Sequence, residues 1–219
     1  ANAVAPGGEV LGIDISPDLT AASTKRASDA DVGNIRFICA DASNVQLPDA
    51  PFDRLFSRFG SMFFAEPHQA FANLRSLLRP DARIDLAVWA PPRDNLWMME
   101  MMGVVRRHVD IPPAVPRAPG PFAFEDLEYL NEVLAAGGFS SPDIMAYTGQ
   151  QPVGGVGATA QEAVSFVLSS MAVGKALDEQ GTDVRAAAEG ELLELFAKHH
   201  VPNQGVMMQG KAWLVSAKA

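Results

Sequence analysis

The sequence predicts an α/β protein: an open, doubly wound, mostly parallel sheet with an antiparallel terminal strand and helical cap insertions. Three observations predict it. Short apolar runs alternate with helix-period stretches through the first 90 residues, in the order strand, helix, strand, loop, strand, helix, strand. Two of those runs stop at a single carboxylate, "VLGID" at Asp14 and "FICAD" at Asp41. After Pro91-Pro92 the chain turns Met-rich and helical, and it closes on a strand-like run, "GVMMQGKAWLVSAKA".

Each element has a local reason. "ANAVAPGG" reads as the last turn of an amphipathic helix stopped by Pro6-Gly7-Gly8, so residues are expected to precede Ala1. Glu9 to Asp14 is continuous, β-branched and bounded by glycines, the pattern of a buried strand. Ser16 suits an N-cap with Pro17 at the first helical position, opening a helix to about Ala30. Asn34 to Asp41 and Phe52 to Arg58 are the second and third strands. Helical spacing over Pro67 to Leu78 puts Phe71, Leu74, Leu77 and Leu78 on one face. A turn at Pro80-Asp81-Ala82 leads into a fourth strand, Ala82 to Ala90. Beyond it come a helix over Asn95 to His108, a proline-rich linker at Ile111 to Pro121, and a helix over Phe124 to Ala136 closed by Gly137-Gly138. A strand near Asp143 to Tyr147 and helices at about Ala160 to Leu177 and Asp183 to His199 precede the final strand. This divides the chain into a core at 1–92, a helical cap and linker at 93–138, and a terminal strand pair with inserted helices at 139–219 that completes the same domain.

Composition narrows the function. The chain has 219 residues, 48% of them apolar and 20% charged, enough for a sizeable core. Its formal net charge is −9, and its basic residues are scattered, Arg106-Arg107 being the densest pair. A nucleic-acid partner would want a clustered positive face, so none is expected. No run approaches the roughly 20 apolar residues of a membrane span, and a cytoplasmic protein is expected. The single cysteine, Cys39, excludes an internal disulfide framework and a Cys-rich zinc site. Lying in an apolar run, it is expected to be a small core residue.

In doubly wound sheets, ligands bind beyond the carboxyl ends of the strands. There the sequence places Asp14, Asp41 and the pair Ser57-Arg58. A carboxylate in the first of these positions can accept both hydroxyls of a ribose; its structural alternative is to sit at a helix N-terminus. Asp41 can accept an exocyclic amino group while the next backbone N–H donates to a ring nitrogen; its alternative is an Asx turn.

These stretches, in order, resemble the class I S-adenosylmethionine-dependent methyltransferases of the broad group acting on small molecules. "VLGIDIS", "FICADAS", "PFDRLFSRFGSMFFAEPHQAFANLRSLLRP" and "RIDLAVW" carry the resemblance, which covers residues 1 to 90 well and the terminal strand pair in outline. It implies a Rossmann-like fold and S-adenosylmethionine as cofactor. By that resemblance Asp14 would bind the ribose, Ile15 would pack on the adenine, and Asp41 with Ala42 would read the adenine edge. Ser57 and Arg58 would line the methionine end of the cofactor, and Phe59 and Met62 would shape the methyl-donor mouth. The family's first strand and glycine-rich loop have no counterpart here. Because that strand lies between those carrying Asp14 and Arg58, its loss would leave backbone groups of both neighbours unpaired. The chain is therefore expected to be an incomplete methyltransferase, or a relative that does not bind the cofactor.

Methyl transfer from a sulfonium needs an acceptor placed in line and water excluded. His68 and Glu66 are the candidate bases; no metal site is expected, His199-His200 lacking a third ligand. Trp97, Met98, Met101, Met102 and Phe122 are the candidate wall of an apolar acceptor pocket, with core packing as the alternative. The partner is then a small-molecule acceptor, and the reading allows a homodimer. Two rivals remain: a non-catalytic binding or dimerising relative, and a nicotinamide-dependent oxidoreductase. Against the latter, no Tyr-x-x-x-Lys pair is present, Tyr129 and Tyr147 being the only tyrosines. If Trp97 lines the pocket, Trp97→Ala should weaken acceptor binding, measured by titration, and leave cofactor binding intact.

Overall fold

The computed structural model describes all 219 residues. After a single 3-10 turn at Asn2–Val4, strand β1 spans Val10–Asp14, helix α1 Pro17–Asp29 and strand β2 Ile35–Cys39. β1 and β2 pair in parallel, Asp14 opposite Cys39. Gly12 is glycine for a packing reason: the Phe37 ring, directly opposite on β2, occupies the space of a Cβ. The expected cap forms, Ser16 Oγ accepting from the Leu19 N–H with Pro17 at the first helical position.

The main sheet has five strands. β3 (Phe52–Arg58), β4 (Leu78–Trp89), β5 (Ser140–Val153), the short β6 (His200–Val201) and β7 (Gly205–Lys218) pair in the order β3-β4-β7-β5, with β6 also on β7. β3 and β4 are parallel and β7 is antiparallel to all its neighbours. The α/β, Rossmann-like class is therefore as expected, but the sheet is in two pieces. β1 pairs only with β2, and β3 only with β4. β1 and β3 each keep one edge without a strand partner.

That opening shows in the burial. Before Ser61 the only buried residue is Thr20. Every residue of β1 stays partly or fully exposed, and Phe56 on β3 is 69% exposed. Cys39 corrects the sequence reading: it is exposed, because the two-stranded unit has α1 on one face and nothing over the end of β2. The unit is tied to the larger body by Asn73 of α2 (Pro67–Ser76), whose Nδ2 donates to the Ala42 and Val45 carbonyls.

Other boundaries moved for identifiable reasons. The turn at Pro80-Asp81-Ala82 is instead a bulge within β4: Phe52 pairs with Leu78 but Arg54 with Arg83, and Asp81 takes φ 63°. β5 is much longer than its apolar core suggests, because β7 pairs with it as far as Val153. The helix expected from Ala160 to Leu177 breaks at Met171 into α5 (Ala160–Ser170) and α6 (Ala172–Asp178). α5 opens with a capping box, Thr159 and Glu162 exchanging side-chain and backbone hydrogen bonds.

Two apolar cores result. One lies where α2 and α4 (Leu127–Ala136) cover the sheet, with Phe71, Ile84, Phe124, Leu130 and Val215 at its centre. The other holds the cap, where α3 (Leu96–Val105) packs with α5, α6 and α7 (Thr182–Lys198) through Met101, Val105, Val167, Leu192 and Phe196. α3 buries Trp97, Met101, Val104 and Val105, an i, i+4, i+7, i+8 stripe. No helix is long and apolar enough to cross a membrane.

One polar network crosses the sheet. Asp85 on β4 receives Arg54 from β3 (2.7 Å), Arg83 from its own strand and Ser216 from β7 (2.6 Å). Partial burial alone would raise its carboxyl, but the bonds from Arg83, Ser216 and Arg54 outweigh burial and hold it at about 2. The folded value lies below the unfolded one of 3.8, so the stability contributed is full above that value and is lost as pH falls through about 2. Asp85→Asn should therefore destabilise the fold by about 1–3 kcal/mol near neutral pH, with the difference closing in strong acid. Urea unfolding of both proteins as a function of pH measures this.

Candidate cofactor and acceptor site

The expected site residues gather at the carboxyl ends of the parallel strands. Asp14 ends β1, Ile15 follows it, and Asp41 and Ala42 lie just past β2. The Ala40 N–H donates to the Asp14 carbonyl (3.0 Å), which holds the two strand ends together. Each carboxylate is half engaged. Asp14 Oδ1 accepts from the Ser16 N–H (2.8 Å) and Asp41 Oδ1 from the Ser43 N–H (2.8 Å). For Asp41 this is the Asx-type turn that was its structural alternative; Asp14, whose alternative was a place at a helix N-terminus, makes the same kind of turn just before α1, and in each case the second oxygen accepts no backbone N–H. The Ser43 bonds hold the Asp41 carboxyl below its usual value, so it is ready as an anionic acceptor. Ile15 beside them is 71% exposed, a free apolar surface.

Across the opening, β3 ends in Ser57 and Arg58. Ser57 Oγ accepts from the Ser61 N–H (3.2 Å), and Arg58 is exposed without an ion pair. Phe59 continues the ladder, donating its N–H to the Ala87 carbonyl (2.9 Å), yet takes φ 61°. A non-glycine residue in the left-handed region is strained and must be held there. Its ring stacks on Trp89 at 4.0 Å and 13°. Trp89 in turn meets Trp97 at 5.3 Å, and its backbone N–H donates to Met62 Sδ at 3.3 Å.

Sequence reasoning missed the residue that organises this aromatic cluster. Asn95 is fully buried, and its amide makes four hydrogen bonds: Nδ2 donates to the Ala90 and Pro91 carbonyls, while Oδ1 accepts from Trp97 Nε1 and the Lys211 N–H. One side chain thus joins the end of β4, the start of α3 and the middle of β7. A lone Asn before an apolar helix reads as an N-cap, and nothing local announces the Lys211 contact, 116 residues away.

The remaining candidates are less central. Trp97, Met101 and Met62 are buried within the two cores, while Met98, Met102 and Phe122 are half-buried. His68 reaches Glu132 on α4 (3.4 Å) and packs edge-on to Tyr129; Glu66 is exposed at the start of α2 and makes no capping bond. His108 pairs with Glu191 and His199 with Glu100, tying α7 to α3 and the turn after it. No three potential metal ligands come together. Two surface grooves, of about 530 Å³ beside Phe139 and Ser141 and about 300 Å³ between α1 and β2, touch none of the expected site residues.

Residues 1–84 match the model of a methyltransferase-domain family. Over 151 residues the chain is 28% identical to the demethylmenaquinone methyltransferase of Thermus thermophilus, covering 62% of this chain and 66% of that protein. It therefore spans just under two thirds of that relative's length. Among solved structures, the YcgJ protein of Bacillus subtilis superposes with a TM-score of 0.57 at 16% identity, over 96% of this chain and 82% of its own. The phosphoethanolamine N-methyltransferase 2 of Haemonchus contortus, solved with S-adenosylhomocysteine, gives 0.51 at 13% identity, over 96% of this chain and 43% of its own.

Burial revises the expectation for Trp97: with the residue only 6% exposed in the cap core, Trp97→Ala removes packing before it removes a pocket wall. The substitution should cost about 3–5 kcal/mol of stability, read as a lower urea midpoint at unchanged slope. Residues 1–84 are thus similar to the methyltransferase-domain family, and the chain as a whole shares the Rossmann-like fold of its structural neighbours.

Proposed function

We propose that the protein is an S-adenosylmethionine-dependent methyltransferase with a small-molecule acceptor. The observation that carries this is the pair Asp14 and Asp41, on the ends of adjacent parallel strands, each with one carboxylate oxygen free of backbone hydrogen bonds. Two carboxylates so placed match the needs of an adenosine: ribose hydroxyls on Asp14 and the adenine amino group on Asp41, with Ile15 against the ring. The adenosine half of the cofactor therefore fits the residues present. At the methionine half the fit rests on Ser57, Arg58 and Phe59 alone, beside the opening between β1 and β3. We propose that a parallel strand occupying that opening completes this half, because both edges facing it are unpaired.

When bound, the cofactor supplies an activated methyl on a sulfonium. The chain's own part is placement and exclusion of water. Phe59, Met62 and Trp89 form a dry wall at the strand ends, and Asn95 fixes Trp97 behind it. His68 has its ring tied to Glu132 on α4, so no general base is assigned to the site. An acceptor that is a soft or already ionised nucleophile suits such a wall. The demethylmenaquinone methyltransferase among the relatives supports a small, apolar acceptor of quinone type.

Calorimetric titration of S-adenosylhomocysteine tests the reading, with the protein alone and with an amino-terminal extension that supplies a strand. Micromolar binding is expected, lowered about tenfold or more by Asp14→Ala, in line with one charge-assisted hydrogen-bonding site lost. Absence of binding to both folded forms would reject it in favour of a non-catalytic relative.

A further inference from the structure

Ser61 Oγ is a buried side-chain polar atom without a hydrogen-bond partner. The residue is 3% exposed, in the 3-10 turn Ser61–Phe63 that follows β3. Leaving a buried hydroxyl unpaired is unfavourable, and such groups in folded proteins call for an explanation. No neighbour in the turn bonds to it; Ser57 Oγ accepts from the Ser61 backbone N–H instead. Its setting is specific. Ser61 lies in sequence between Phe59 and Met62, the two residues that contact Trp89, one by ring stacking and one through sulfur. The same short loop therefore keeps two unfavourable features side by side, the strained backbone of Phe59 and the unpaired hydroxyl of Ser61. Features of this kind persist where a ligand uses them.

We propose that Ser61 is a binding residue for the acceptor: its hydroxyl exchanges a hydrogen bond with an oxygen substituent on a flat, otherwise apolar ring that extends the Phe59–Trp89 stack. The wall selects the ring, because aromatic faces prefer offset stacking and exclude water. The hydroxyl selects the oxygen, since a buried polar group left unpaired discriminates against a ligand that lacks its partner. The loop itself offers no carboxylate to a cationic acceptor. Residues 57–63 hold one arginine and no acid, and the carboxylate of Asp94 is taken by Lys211 at 2.9 Å. The inference rests on the methyl-transfer reading for what happens to the ring, but its binding is testable without turnover.

Equilibrium dialysis of the protein against 1-naphthol and naphthalene reads the preference directly. Neither probe alkylates the exposed thiol of Cys39. The wild type should bind 1-naphthol about tenfold more tightly than naphthalene, the value of one net hydrogen bond. Ser61→Ala should abolish that preference while leaving naphthalene affinity and S-adenosylhomocysteine affinity unchanged, and near-UV circular dichroism should show the aromatic cluster intact. Phe59→Leu should weaken both rings together. A Ser61→Ala protein that keeps the preference would overturn the proposal, assigning the hydroxyl to a buried water. Loss of S-adenosylhomocysteine affinity in place of the preference would also overturn it, assigning the hydroxyl to the cofactor. Failure of the wild type to bind S-adenosylhomocysteine, with the ring preference present, would count against methyl transfer and leave Ser61 as a ligand residue.

Discussion

Backbone saturation of β7 is the constraint on which the larger body depends. This strand is antiparallel to β5 along one edge and to β4 and β6 along the other, Val206 pairing with both Val153 and His200, so its peptide groups are paired nearly throughout. Its two ends belong to different cores: Val206 and Met208 pack with the cap helices, Val215 and Ala217 with α2 and α4. Pairing of a single strand therefore fixes how the cap sits over the sheet. Asn95 adds a side-chain lock at the midpoint, binding the Lys211 N–H of β7 and the Trp97 indole of the cap. The aromatic wall at the strand ends inherits its geometry from these two contacts.

The contrast with the first sixty residues is physical. A parallel strand is stable when it is paired on both edges and covered on both faces. β1 has one paired edge and one covered face, and β3 likewise lacks a partner on its inner side. The residues best matched to a nucleoside lie on this under-supported unit, whose attachment to the rest runs through the 40–51 segment and the Asn73 amide. The candidate residues of β1 and β2 are thus held side by side by the ladder, while their relation to Ser57 and Arg58 is held by few bonds.

Much of this was legible in the sequence because it is local. Ser16-Pro17 announced the start of α1, the Phe71 to Leu78 spacing announced a buried face, and Asp14 and Asp41 sit where terminal carboxylates of apolar runs should sit. The open edge between β1 and β3 was also foreseeable, by comparison with the order of strands in the family resembled. What was not legible is set by distant partners. β5 gains its length from β7, the Asp81 bulge from pairing on both sides of it, and the function of Asn95 from Lys211. Cys39 is exposed although it lies in an apolar run, because an apolar run makes a core strand only where a second layer covers it. The Met-rich helix reads equally as a candidate pocket wall or as core, and its buried stripe shows how Met and Trp serve a core as readily as a ligand.

The opening between β1 and β3 has a consequence for affinity. Any molecule that touches Asp14 on one side and Arg58 on the other bridges two bodies whose spacing is set by little else. Its observed dissociation constant is then the intrinsic one divided by the fraction of molecules with the spacing correct. A tenfold rarer correct spacing weakens binding tenfold with every contact residue unchanged. Anything that sets the width of that spacing, whether a strand or a bound partner, would tune the occupancy of such a ligand without itself contacting it.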